Sequence, residues 1–135
     1  MAELHETRLT LRFFGDDLDP DEVTARLGLP PSVGVRKGGI WRTRNGTEKV
    51  ARTGSWRLEA EDRTPGDLDG QISELLGALN DNLSVWQELT ARFEADIFCG
   101  LFMREGNEGI SLHPDTMMKL GKRNLSLDFD LYGPD

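Results

Sequence analysis

The sequence predicts one α+β domain, a mainly antiparallel sheet of about five strands with helices packed on one face. Three observations predict it. Segments such as "RLTLRFF" and "LSLDFDLY" alternate apolar and polar residues, as a sheet with one wet face requires. Residues 68–93 instead repeat apolar positions at threes and fours, the period of amphipathic helices. The 135 residues suit a single core spanning 1–135, since two independent domains would each be marginal.

In the first strand Leu9, Leu11 and Phe13 point one way, and Arg8, Thr10 and Arg12 the other. "GDDLDPDEVTARLG" follows at 15–28, with acids at Asp16, Asp17, Asp19, Asp21 and Glu22. A calcium loop of the D-x-[DN]-x-[DN]-G-x₅-E type needs Gly where Glu22 stands and Glu where Gly28 stands, and Pro20 stiffens it. A helix start uses the same residues better. Asp19 is placed as N-cap, Pro20 as first helical residue, and Glu22 to close a capping box. Leu18 and Val23 are spaced as a hydrophobic staple, and Gly28 with "LPP" ends the helix. Asp16 and Asp17 are left in the loop, free to meet a partner.

Residues 30–54 are the least periodic, and Asn45-Gly46 within "IWRTRNGTEKVAR" marks a hairpin. "SWRLEA" alternates as a strand and "EDRTPGD" reads as a loop. "NDN" at 80–82 divides the helical pattern into two helices, roughly 68–80 and 84–93, with Ser84 and Gln87 spaced as a capping box. "ADIFCGLFM" is apolar on both alternating faces, as expected of a central strand. "ISLHPDTMMKLGKRN" gives a short extended piece and a helix. In the last strand Leu125, Leu127, Phe129 and Leu131 face in. If the first and last strands are neighbours, Arg8 and Arg12 pair with Asp128 and Asp130. The echo between "LDPDEVTARLG" and "LHPDTMMKLG" suggests two related β–α units, each with Pro first and Gly just past the end. A ferredoxin-like arrangement is one topology compatible with that echo.

Composition narrows function. The chain has 37% hydrophobic and 30% charged residues and lacks the roughly 20-residue apolar run that spans a bilayer. The N-terminus lacks the pattern of a secretory signal, and a single cysteine suits a reducing compartment, so the cytoplasm is expected. One cysteine and two histidines supply no zinc set, and no cofactor is expected. Cys99 reads as a small buried hydrophobe rather than a nucleophile paired with His113. The net charge of −8 opposes nucleic acid and anionic membranes, but residues 36–57 carry +6 against −14 elsewhere. That basic segment lacks phosphate-loop spacing. Its Arg36, Lys37, Trp41, Arg42 and Arg44, with Asp16 and Asp17, are the candidate ligand or partner contacts.

"LDPDEVTARLGLPP", "RKGG", "TGSWRLEAE", "IFCGLFM" and "MMKLGKRNLSLDFDLYG" together resemble a mainly bacterial family, domain of unknown function 4279. The resemblance spans nearly the whole chain. It implies a single α+β domain and brings no activity, cofactor or catalytic residue. The leading expectation is therefore a non-enzymatic binding protein, a toxin-neutralising or other interaction module whose acidic surface takes a basic protein partner. The alternative is nucleic-acid or phosphate-ligand binding through 36–57. An enzyme ranks third and requires a pocket uniting Cys99, His113 or paired carboxylates.

Overall fold

Alternation in the sequence becomes two unlike sheet faces in the computed structural model, which describes residues 2–134. A short β1 (Ala2–Glu3) leads into β2 (Glu6–Gly15), which buries Thr7, Leu9, Leu11 and Phe13 and turns Arg8 and Arg12 to the other side. Then come α1 (Pro20–Leu27), β3 (Val33–Val35), β4 (Ile40–Arg42), β5 (Glu48–Val50) and β6 (Gly54–Glu59). Two helices follow, α2 (Leu68–Gly77) and α3 (Leu83–Arg92), and then β7 (Glu94–Phe102). The chain closes with β8 (Glu108–Gly109), α4 (Pro114–Lys122) and β9 (Ser126–Tyr132).

The five-stranded sheet runs β3-β6-β2-β7-β9, antiparallel except for β7 and β9. Those two are parallel because α4 carries the chain back between them. The helices supply Val23, Leu27, Ile72, Leu76, Trp86, Leu89 and Leu120 to one core with Leu9, Leu11, Phe13, Trp56 and Ile97. Phe13 sits at its centre, edge-on to Trp56 at 5.9 Å and tilted against Trp86 at 6.2 Å. Both indoles bury their rings and satisfy their N–H groups, Trp56 on Thr24 Oγ1 at 3.0 Å and Trp86 on the Asn80 carbonyl at 2.6 Å. One polar knot is buried with them. Gln71 donates to the carbonyls of Thr7 and Glu61 and accepts the Thr7 hydroxyl, so its amide carries no orphan. No helix among the described residues is long and apolar enough to cross a membrane.

Local expectations are corrected in four places. Asp19 caps α1 by accepting from the Asp21 N–H, but Glu22 leaves the capping box open because both its oxygens are taken by Arg92 of α3. The cap of α3 is Asn82, which accepts from the Ser84 N–H, so Ser84 lies inside the helix. Gly121 also lies inside α4, and Asn124 takes the left-handed turn at φ 58°. Last, β7 separates β2 from β9, so Arg8 pairs with Glu6 and Asp62, and Arg12 with Asp96, instead of with Asp128 and Asp130. The ferredoxin-like arrangement is not confirmed. From β2, α1 returns to β3 with β6 between them, whereas α4 returns to β9 directly beside β7. The two helices share a proline in the first turn, but neither their caps nor their connectivity: Asp19 and Gly28 cap α1, whereas His113 makes no side-chain cap bond to α4.

Candidate functional site

The β4–β5 hairpin is where the wet sheet face becomes concave. Its turn is closed by the Gly46 N–H on the Thr43 carbonyl, with Gly46 at φ 80° where a side chain would be strained. Trp41 lies directly opposite Lys49, and both line a groove of about 530 Å³ whose wall includes Phe14 of β2 and Ser55 and Arg57 of β6. Arg52 lines the same groove from the link into β6. At the start of β6 the backbones approach closely, since a side chain at Gly54 would collide with the Gly15 carbonyl at 2.7 Å.

Register then creates an imbalance of charge. Arg57 is the direct cross-strand partner of Arg12, and Arg12 is in turn the partner of Asp96. Like charges placed opposite are unfavourable on a sheet. Arg12 resolves its half of the conflict with a two-pronged ion pair, Nε to Asp96 Oδ1 at 2.8 Å and Nη2 to Oδ2 at 2.6 Å. Arg57 has no carboxylate within ion-pair distance among the described residues, and its buried Nε has no hydrogen-bond partner. It lies instead between rings, 5.2 Å from Trp41 and 5.6 Å from Phe14. Burial, and next the charge of Arg12, pull its pKa below the ordinary arginine value, while the hydrogen bond that Arg12 donates to Asp96 raises that of Arg12. Arg123 has the other unpartnered buried Nε, but its Nη1 donates to the Lys119 carbonyl at the end of α4, where a cation suits the helix dipole.

The residues singled out from sequence fall in different places. Trp41 alone lines the groove. Arg36 pairs with Asp19 at 2.8 Å and Lys37 with Asp16 at 3.2 Å, so the acidic loop and the basic turn neutralise each other. Asp16 is therefore not free; the hydrogen bond from Lys37 holds its carboxyl below the usual range. Asp17 is exposed beside it. Arg42 points to the outer hairpin face and pairs with Glu48, and Arg44 lies 3.7 Å from Glu59. Sequence reasoning counted Lys49, Arg52 and Arg57 in the basic segment without singling them out. Only the β2–β6 register distinguishes Arg57.

The enzyme reading gains little from the geometry. Cys99 is sealed in the core, where burial, then Asp96 and Asp128, push its thiol up to about 12. His113 is on the surface, its Nδ1 3.0 Å from Asp69 Oδ2, in a second cavity of about 350 Å³. Among the described residues no hydroxyl or thiol is hydrogen-bonded to that imidazole, so the pair orients a ring without activating a nucleophile.

The sequence model of one family, "Domain of unknown function (DUF4279)", matches residues 5–134. The chain belongs to that family. No curated protein and no solved structure matches it. The DUF4279 assignment covers every strand of the five-stranded sheet, including the Arg12, Arg57 and Asp96 row.

Proposed function

We propose that this DUF4279 domain is a binding module that takes a small anionic ligand into the groove under the β4–β5 hairpin. One observation carries the reading: Arg57 is half-buried, stacked between two rings, and lacks both counter-ion and Nε acceptor among the described residues. A desolvated charge left alone is costly, and a carboxylate or phosphate on its guanidinium removes that cost through charge-assisted hydrogen bonds. Lys49 and Arg52 add positive potential, Ser55 a hydroxyl, and Trp41 and Phe14 flat apolar surface. The volume of about 530 Å³ suits a small molecule. A nucleic-acid strand needs a continuous basic track, and here Arg36, Arg42 and Arg44 are already engaged by acids.

Calorimetric titration with inorganic phosphate, phenyl phosphate and a single-stranded oligonucleotide tests the reading. The expected order is phenyl phosphate tighter than phosphate, one site per chain, with Arg57→Met weakening both by about tenfold or more. Equal binding by wild type and Arg57→Met, or no heat with either phosphate, overturns it. A longer footprint on the oligonucleotide, removed by Arg36→Ala and Arg44→Ala, replaces it with a nucleic-acid surface.

A further inference from the structure

The opposite edge of the sheet has the complementary defect. β9 pairs with β7 on one side only, and among the described residues its outer edge has no partner. Seven residues of strand give an edge roughly 20 Å long. Its helix-side positions beyond Leu127 are not covered, with Phe129 44% and Leu131 68% exposed. Met117 of α4, the helix that crosses from β7 to β9, is also half-exposed. On the wet face the same strand presents Asp128 and Asp130. The cation nearest in the sheet, Arg12, is already held through both prongs by Asp96. Asp128 hydrogen-bonds to Asp96, so two carboxylates meet there, and that contact raises the Asp128 pKa.

Charge decides what can add to this edge. Antiparallel pairing with a second copy about Phe129 sets each Asp128 against the other copy's Asp130, between chains of net charge −8. Lysine or arginine at those two positions reverses the sign of both contacts. Apolar residues at the alternate positions would then cover Phe129 and Leu131. We propose that β9 is a docking edge for an extended segment of a protein partner, which adds as a sixth strand with basic residues over Asp128 and Asp130 and apolar residues over Phe129 and Leu131. Backbone hydrogen bonds along the free edge supply affinity, and the alternating side chains supply selectivity.

The probe is a capped, fluorescein-labelled peptide alternating lysine and valine, titrated by anisotropy, with binding mapped by amide chemical shifts. The lysine peptide should bind with shifts confined to 126–132 and flanking β7 residues. A glutamate–valine peptide and an N-methylated lysine–valine peptide should not bind. Asp128→Lys/Asp130→Lys, confirmed folded by circular dichroism, should weaken the lysine peptide about tenfold and gain the glutamate one. The proposal is overturned if the shifts fall on the hairpin groove, if N-methylation changes nothing, if the double variant binds the lysine peptide unchanged, or if wild type self-associates through β9 in analytical ultracentrifugation.

Discussion

Asp96→Ala removes the acid that reconciles the two facing arginines, and its cost follows from the geometry. Two charge-assisted hydrogen bonds disappear, at 2.8 and 2.6 Å, each contributing about 1.5–3 kcal/mol where water is excluded. The Arg12 and Asp96 side chains are 28% and 14% exposed, so solvent screens part of that. The facing charge of Arg57 adds a penalty once Arg12 is uncompensated. The net loss should be about 2–4 kcal/mol, less than the total stability of an ordinary domain. Urea denaturation followed by tryptophan fluorescence at neutral pH measures it. Arg12→Met/Asp96→Leu, which removes both charges, should return to within about 1 kcal/mol of wild type. Adding phosphate should recover part of the single variant's loss, because two guanidiniums then share one anion. Burial raises the Asp96 pKa, but the hydrogen bonds from Arg12 and Asp128 more than offset it, leaving the folded value below the unfolded one. Stability from the pair is therefore complete above the unfolded carboxylate value, and is lost as pH falls through the lower folded one. A loss under about 1 kcal/mol, or a double variant as unstable as the single, would refute the cross-strand account.

Three further outcomes follow from the same geometry. Gln71→Leu strands the Glu61 carbonyl and leaves the Thr7 hydroxyl without an acceptor, while the Thr7 carbonyl keeps the Arg63 N–H, so it should cost about 1–3 kcal/mol in urea despite gaining apolar surface. Asp128→Asn should raise the melting temperature at neutral pH. The hydrogen bond and charge of Asp96 lift the folded Asp128 pKa above its unfolded value, so the wild type loses stability as pH rises through it and the two proteins converge in acid. Cys99, fully buried and with its thiol pushed up to about 12, should react with a thiol reagent only on unfolding; reaction at the rate of a free thiol in native buffer contradicts its place in the core.

The first strand was legible because burial imposes a period of two on Leu9, Leu11 and Phe13, whereas the same alternation in the last strand overstated its cover: Leu127 is only partly buried, and Phe129 and Leu131 are exposed at the sheet edge. The start and end of α1 were legible because Asp19 and Gly28 act on their own neighbours. Long-range choices were hidden. Glu22 has a local partner by spacing and a better one in Arg92, 70 residues away. Insertion of β7 beside β2 is a choice of strand order, which local pattern does not encode. It redirected Arg12 from the last strand to Asp96. The candidate site depended on the same hidden variable. Charge counting found the segment 36–57, but Asp19 at the start of α1, Glu48 of the hairpin itself and Glu59 of β6 pair with its more conspicuous arginines. Arg57, an unremarkable position in "SWRLEA", is left alone because register sets it opposite Arg12.

The central claim is that Arg57 waits for an anion, and its own Nε–H reports on that most directly. In a ¹H–¹⁵N spectrum tuned to arginine side chains, the Arg57 peak is the one missing from Arg57→Met. On titration with phenyl phosphate that peak should move downfield along a saturating curve, as the buried Nε gains its acceptor. A stationary Arg57 peak, while those of Arg36, Arg42 or Arg44 shift, would contradict the account.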